Sequence, residues 1–166
     1  MPQQILIDFI INNFPFVMSI LAIILAILSF SKFTQYLFSY MLFFMIGIGG
    51  IWEFALHLIV HHSLDSGPLS GAQFESELAV FNLALGACGL IACFASWSYR
   101  AAVVSFYFIA TLVGAMLHLH TLNVNQNANN LQIGILIWSE ITLPLILVIL
   151  LFVTKNIKRS NIIYYD

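Results

Sequence analysis

The chain has 166 residues with a mean hydropathy of +1.00, and only 7% of them are charged, against about 25% in an ordinary soluble domain. Five Lys and Arg and seven Asp and Glu are too few to cover a soluble globule of this length, which excludes a water-soluble enzyme domain, a disordered tail and a nucleic-acid binder. The net charge of −2 implies no polyanionic partner, and the lipid bilayer is the expected surrounding.

A hydrocarbon core of about 30 Å asks for roughly 20 apolar residues per helix. Five segments have that length, at 5–31, 36–60, 74–98, 101–122 and 131–153. They predict an all-α, polytopic membrane bundle forming one domain over 1–166. Asp8, Asn12, Asn13 and Pro15 make the polar head of the first span. The breaks that follow are Lys32 to Gln35, the run His61 to Gln73, the single Arg100, and Asn123 to Asn130. Cys88 and Cys93 share one apolar run about 140° apart on a helix, so they form neither a disulfide framework nor a CxxC motif.

Basic residues near helix ends stay cytoplasmic. Lys32, Arg100, Lys155, Lys158 and Arg159 all fall on one side of a five-span chain, which predicts an outside N-terminus and a cytoplasmic C-terminus. The first Lys follows the first apolar run, so that run is expected to stay in the mature protein. Trp52, Trp97 and Trp138 are expected in interfacial belts and lipid-facing packing.

All five histidines and six of the seven acidic residues lie in the outer half of this topology. Counting about 1.5 Å per residue, Glu53 and Glu140 lie roughly 12 Å deep, and His57, Glu77 and His118 about 4 to 6 Å deep. Glu53 and His57 are one turn apart, with Gly49 and Ile46 below them and Gly50 beside them, where a neighbouring helix can come close. Tyr107, Thr111, Gly114 and His118 draw a seam along the fourth span, and His120 points away. Pro144 cannot donate to the Glu140 carbonyl and should kink the fifth span. In the third span Glu77 shares a face with Phe81 and Cys88, whereas Asn82 lies on the face of Glu75, Gly86 and Gly89. Either Glu77 enters the cluster and Asn82 bonds another helix, or the first turn is irregular.

An unpaired ionised group at the helix centre costs at least about 2.5 to 3.5 kcal/mol, and no intramembrane Lys or Arg neutralises these carboxylates. A cation or bound protons must do so. Carboxylates with imidazoles suit zinc, iron or manganese, with Glu53, His57, Glu77, His118 and Glu140 as the expected ligands. The set looks like the carboxylate-bridged sites of four-helix bundles, except that Glu53-x-x-x-His57 has one residue too many and occurs once. Such a centre would serve a membrane metalloenzyme at the periplasmic face, acting on a lipid-like substrate with Glu53 or Glu140 as general base. The alternatives are a proton or divalent-cation transporter or channel, a b-type haem held by His57 and His118, and a structural or assembly subunit. Few polar groups continue to the cytoplasmic side, although a homo-oligomer could build a path between subunits. His61, His62, Asp65 and Glu75 are expected in a solvated outer loop.

From Pro68 onward the chain resembles a family of small bacterial inner-membrane proteins of unassigned function. Over 68–147 the matching stretches are Gly67-Pro68 before Phe74-x-x-Glu77, Asn82-Leu83-x-x-Gly86, Gly114-Ala115-x-x-His118, and Glu140 four before Pro144. The family pattern has Asp where this chain has Glu140. The resemblance implies a multi-pass helical fold in a bacterial inner membrane and highlights Glu77, Asn82 and His118; it supplies no reaction.

Overall fold

Apolar runs of this length satisfy their backbone polar groups internally only as helices or closed barrels. The computed structural model of the chain is all-helical among the described residues, which are 13–29, 32–64, 70–125 and 137–163, with side chains described for 13–29, 32–59, 75–120 and 137–156. Helix α1 is Phe14–Leu28. Helix α2 runs through Phe33–Met41, a π-helical stretch Leu42–Ile48, and Gly49–Leu64. Helix α3 is Ser70–Ala92 and α4 is Trp97–Asn125. Helix α5 joins a π-helical turn, Trp138–Thr142, to Leu143–Ile163.

Four helical stretches are long and apolar enough to cross a membrane, namely Phe33–Ile59, Glu75–Ala92, Trp97–His120 and Trp138–Asn156. Their length and composition suggest a membrane protein. Helix α1, at 15 residues, is shorter, and the first part of the expected 5–31 span, before residue 13, lies outside the described residues. Also outside them are Asp65, Gln126 to Asn130 and the first six residues of the expected fifth span, and the His61 and His62 side chains are not described.

Neighbouring helices run antiparallel. Phe14 stacks on Trp52 and Ser19 reaches Met45, pairing α1 with α2. Phe81 meets Phe106, and Cys88 meets Tyr99, pairing α3 with α4. Between α4 and α5, His118 meets Glu140 at one end and Trp97 donates to the Leu151 carbonyl at the other. Ser19, the one buried polar residue among the described core, ties three helices together: its hydroxyl reaches the Pro15 carbonyl and Met45 sulfur and accepts from Trp138 Nε1.

The closest approach in the bundle is between α2 and α3. A Cβ added to Gly50 would lie 2.7 Å from the Asn82 carbonyl oxygen, and one on Gly89 would lie 2.6 Å from the Gly47 nitrogen. Gly47 and Gly50 on α2 therefore oppose Gly89 and Gly86 on α3, backbone against backbone. Gly49, which the helical phase also offers for this role, has only the Phe44 carbonyl 3.6 Å from such a Cβ.

One boundary and the form of one helix disturbance differ from the sequence expectation. The break between the third and fourth spans falls at 93–96, not at Arg100, because Ser96 caps α4 through its hydroxyl on the Tyr99 N–H and Arg100 folds back to cap α3. Its Nε and Nη2 donate to the Ala92 and Cys93 carbonyls at 2.9 and 2.6 Å, satisfying acceptors that a helix end leaves open. Cys93 lies in this turn, where burial pushes its thiol up and keeps it in the unreactive neutral form. At Pro144 the expected kink takes the form of a π turn, in which the Leu143 N–H bonds the Trp138 carbonyl five residues back; the wider turn lets the helix pass the missing proline donor.

Towards the end of the bundle that carries Lys32, Arg100 and Lys155, the interior is a layer of fully buried apolar side chains: Phe38, Leu42, Ile46, Val104, Leu143 and Leu147. The tryptophans clasp helices together. Trp52 and Trp138 hold α1, and Trp97 holds α5, with Lys155 Nζ 4.2 Å above its ring.

Gly50→Val should force α2 and α3 apart and cost about 1–3 kcal/mol, whereas Gly49→Ala should be neutral or stabilising. Thermal melts of the two variants in detergent, followed by tryptophan fluorescence, check the contrast.

Candidate acid–base cavity

The α2–α3 contact fixes the first half of the site. With the backbones touching at Gly50 and Gly86, the next two turns of α2 carry Glu53 and His57 alongside the first turns of α3. There His57 Nδ1 lies 2.6 Å from Glu75 Oε2, and His57 Nε2 lies 4.0 Å from Glu53 Oε2. One imidazole thus stands between two carboxylates from two helices.

Helices α4 and α5 build the second half. His118, at the upper end of the α4 seam, has Nδ1 2.8 Å from Glu140 Oε1 in the π turn of α5. The His118 side chain is 60% exposed and that of Glu140 22%. The other carboxylate oxygen, Glu140 Oε2, is buried and has no hydrogen-bond partner among the described residues. A buried polar atom left this way loses its water without replacement and is a place where a ligand can be bound.

Both halves face one cavity of about 260 Å³. Its polar wall is Glu53, His57, Asn82, Tyr107, Thr111, His118, Ser139 and Glu140, and its apolar wall includes Phe14, Met18, Met45, Phe81 and Leu85. Gly114 stands where a side chain would reach towards Glu140 Oε2, 3.7 Å away. Glu53 interacts electrostatically with Glu140 and His118 as well as His57, so the two pairs act on each other across the space. Among the described residues no Lys or Arg lines it.

Four of the five residues expected at the site, Glu53, His57, His118 and Glu140, line this cavity, and so does the whole seam Tyr107, Thr111, Gly114 and His118. Glu77 does not; it is exposed, and Glu75 is the α3 carboxylate that reaches His57. This corrects the placement of both residues, since the sequence reading puts Glu75 in an outer loop. The helical phase carries the signal. Glu75 shares its face with Asn82, Gly86 and Gly89, and the glycines name the face that touches α2. Of the two arrangements open for α3, Asn82 on the cavity wall with Glu77 outside it fits neither fully.

Among the described residues no group of three or more His, Cys, Asp or Glu side chains comes together in a way that could hold a metal ion. The geometry explains this at α2. The two ring nitrogens of His57 point away from each other, so Glu53, His57 and Glu75 form a row and do not converge.

The chain belongs to the DUF6790 family, a family of unknown function, whose model matches residues 12–160. The match takes in α1 and α2 as well as the stretch 68–147 that carries the sequence resemblance. No curated protein and no solved structure matches the chain.

If Glu75 and not Glu77 partners His57, Glu75→Gln should move the ring ¹⁵N resonances of His57, while Glu77→Gln should leave them in place. Histidine-selective labelling and NMR of the protein in micelles measures both.

Proposed function

We propose that this DUF6790 family member is a multi-pass membrane protein of the bacterial inner membrane whose cavity binds a cationic or proton-donating amphiphile and exchanges a proton with it. The proposed topology is five spans, with the N-terminus outside and the basic helix ends cytoplasmic. The cavity then lies in the outer half. The observation that carries the proposal is Glu140 Oε2, a buried carboxylate oxygen that, among the described residues, has no partner in a cavity lined by two carboxylates and no Lys or Arg. Its natural complement is a positive charge or an N–H or O–H group.

The remaining groups fit that role. Glu140 Oε2 accepts from the ligand, Oε1 is bonded to His118, and the largely exposed His118 ring passes the proton between this carboxylate and water outside. The ligand's apolar part lies along Phe14, Met18, Met45, Phe81 and Leu85. The apolar layer from Phe38 to Leu147 supports a one-sided site over a relay crossing the membrane. An enzyme working here would use Glu140 as general base, with Glu53 and His57 as the second acid–base pair.

The same unpartnered oxygen favours a second reading, a divalent cation such as zinc, iron or manganese held by Glu53, His118 and Glu140. That set requires the His118 ring to leave its present bond to Glu140, and Glu77 takes no part in it.

Thermal shifts of the detergent-purified chain with n-hexylamine, n-hexanoate, n-hexanol and zinc chloride test both. The proposal predicts a saturable rise of a few degrees with hexylamine at ligand well above its Kd, no rise with hexanoate, and at least about tenfold weaker hexylamine binding in Glu140→Gln. A zinc-dependent rise lost in Glu53→Gln and His118→Ala, without one from hexylamine, establishes the second reading instead. Hexylamine and hexanoate acting alike, or Glu140→Gln behaving as wild type, sinks the first.

A further inference from the structure

A second cavity, of about 480 Å³, lies at the opposite end of the bundle between the starts of α2 and α4 and the last turns of α5. Its polar wall is Lys32, Gln35, Tyr36, Ser39, Ser96, Arg100 and Thr154, and among the described residues no Asp or Glu lines it. Three features make its potential positive.

The first is the pair of cations. Arg100 is held in place by its two bonds to the α3 carbonyls and by the Phe38 ring, 5.6 Å below its guanidinium carbon. Those bonds take two of its five N–H donors. Lys32 is exposed at the mouth. Among the described residues neither has a carboxylate partner.

The second is the two helix starts. Helix α2 begins at Phe33, and Lys32 before it provides no side-chain cap, which leaves first-turn N–H groups beside the cavity. Helix α4 begins at Trp97, itself a lining residue. Both present the positive end of a helix dipole to the same space, an arrangement suited to anions and to phosphate in particular. The third is a further cation near the rim, Lys155, whose Nζ sits over the Trp97 ring.

The position narrows the chemistry. The cavity lies where membrane-length helices end, at headgroup depth, beside tryptophan and lysine of the kind that anchor an interface. We infer that this cavity binds a phosphate group, with Lys32, Arg100 and the α2 N-terminus as its partners and an anionic phospholipid headgroup as its source. Ser39 and Tyr36 supply hydroxyl donors for the remaining phosphate oxygens, and the acyl chains would continue along the exposed apolar surface of the bundle.

The test is isothermal titration of the full chain in uncharged detergent with dihexanoyl phosphatidylglycerol, dihexanoyl phosphatidylcholine and inorganic phosphate. Wild type, Lys32→Gln, Ser39→Leu and, as a control outside both cavities, Glu77→Gln are compared. The expected result is saturable phosphatidylglycerol binding at least about tenfold tighter than phosphatidylcholine. It should weaken about fivefold in Lys32→Gln, where one charge-assisted bond is removed, fall further when the Ser39→Leu side chain fills the cavity, and stay unchanged in Glu77→Gln. Inorganic phosphate binding as tightly, with the same dependence on Lys32 and Ser39, keeps the phosphate site and makes a soluble anion its source. Equal binding of the two lipids, or phosphatidylglycerol binding that ignores both Lys32→Gln and Ser39→Leu, overturns the inference. Lys32 is exposed, so its variant tests binding without testing the fold.

Discussion

The backbone contact between α2 and α3 governs the rest of the structure. Gly47 and Gly50 lie against Gly89 and Gly86 so closely that a methyl group added to Gly50, Gly86 or Gly89 would enter the opposite main chain. In a membrane, helices gain little from burying apolar surface against each other, because lipid is equally apolar, and close packing of small residues takes over that role. The consequence is chemical as well as mechanical. At this separation His57 of one helix comes within 2.6 Å of Glu75 on the other, and the antiparallel register sets which residues meet.

That register also decides how the carboxylates tolerate an apolar surrounding. Glu75 and Glu140 each meet an imidazole, and Glu53 stands one turn from the first of these. Pairing meets most of the demand that an isolated charge would leave as several kcal/mol of insertion cost. What remains is one oxygen of Glu140, buried beside the small residue Gly114. The π turn that accommodates Pro144 holds Glu140 itself, in keeping with the frequent use of such turns at functional sites. The ends of the bundle are chemically opposite: acids and imidazoles at one, lysines and an arginine at the other, with a layer of buried aliphatic and aromatic side chains between.

Much of this is legible in the sequence because an uninterrupted helix keeps its phase. The seam from Tyr107 to His118 and the stripe Ile46, Gly49, Glu53 and His57 are readable by counting turns, and all of these residues line the cavity. Counting does not single out Glu75, because two acids two residues apart point to different faces and only the partner helix decides between them; Gly86 and Gly89 hold that answer. Arg100 misleads as a break because charge usually ends an apolar run, whereas here the side chain caps the helix before it while its backbone belongs to the next. Pro144 announces a disturbance but not its form. The π stretch Leu42–Ile48 carries no proline and leaves no local signal.

With His118 largely exposed at one end and the layer from Phe38 to Leu147 buried at the other, the cavity should open at the histidine end and be closed towards the basic end. Cysteine accessibility tests it most directly, with Ala110, on the cavity wall, as the reporter. In a Cys88→Ala, Cys93→Ala background, Ala110→Cys is reconstituted in vesicles and treated on either face with a cationic, membrane-impermeant methanethiosulfonate; Lys155→Cys marks the basic face. Reaction of Ala110→Cys only from the face opposite Lys155→Cys is the predicted result. Modification from the Lys155→Cys face, or from neither face in folded protein, would contradict the account.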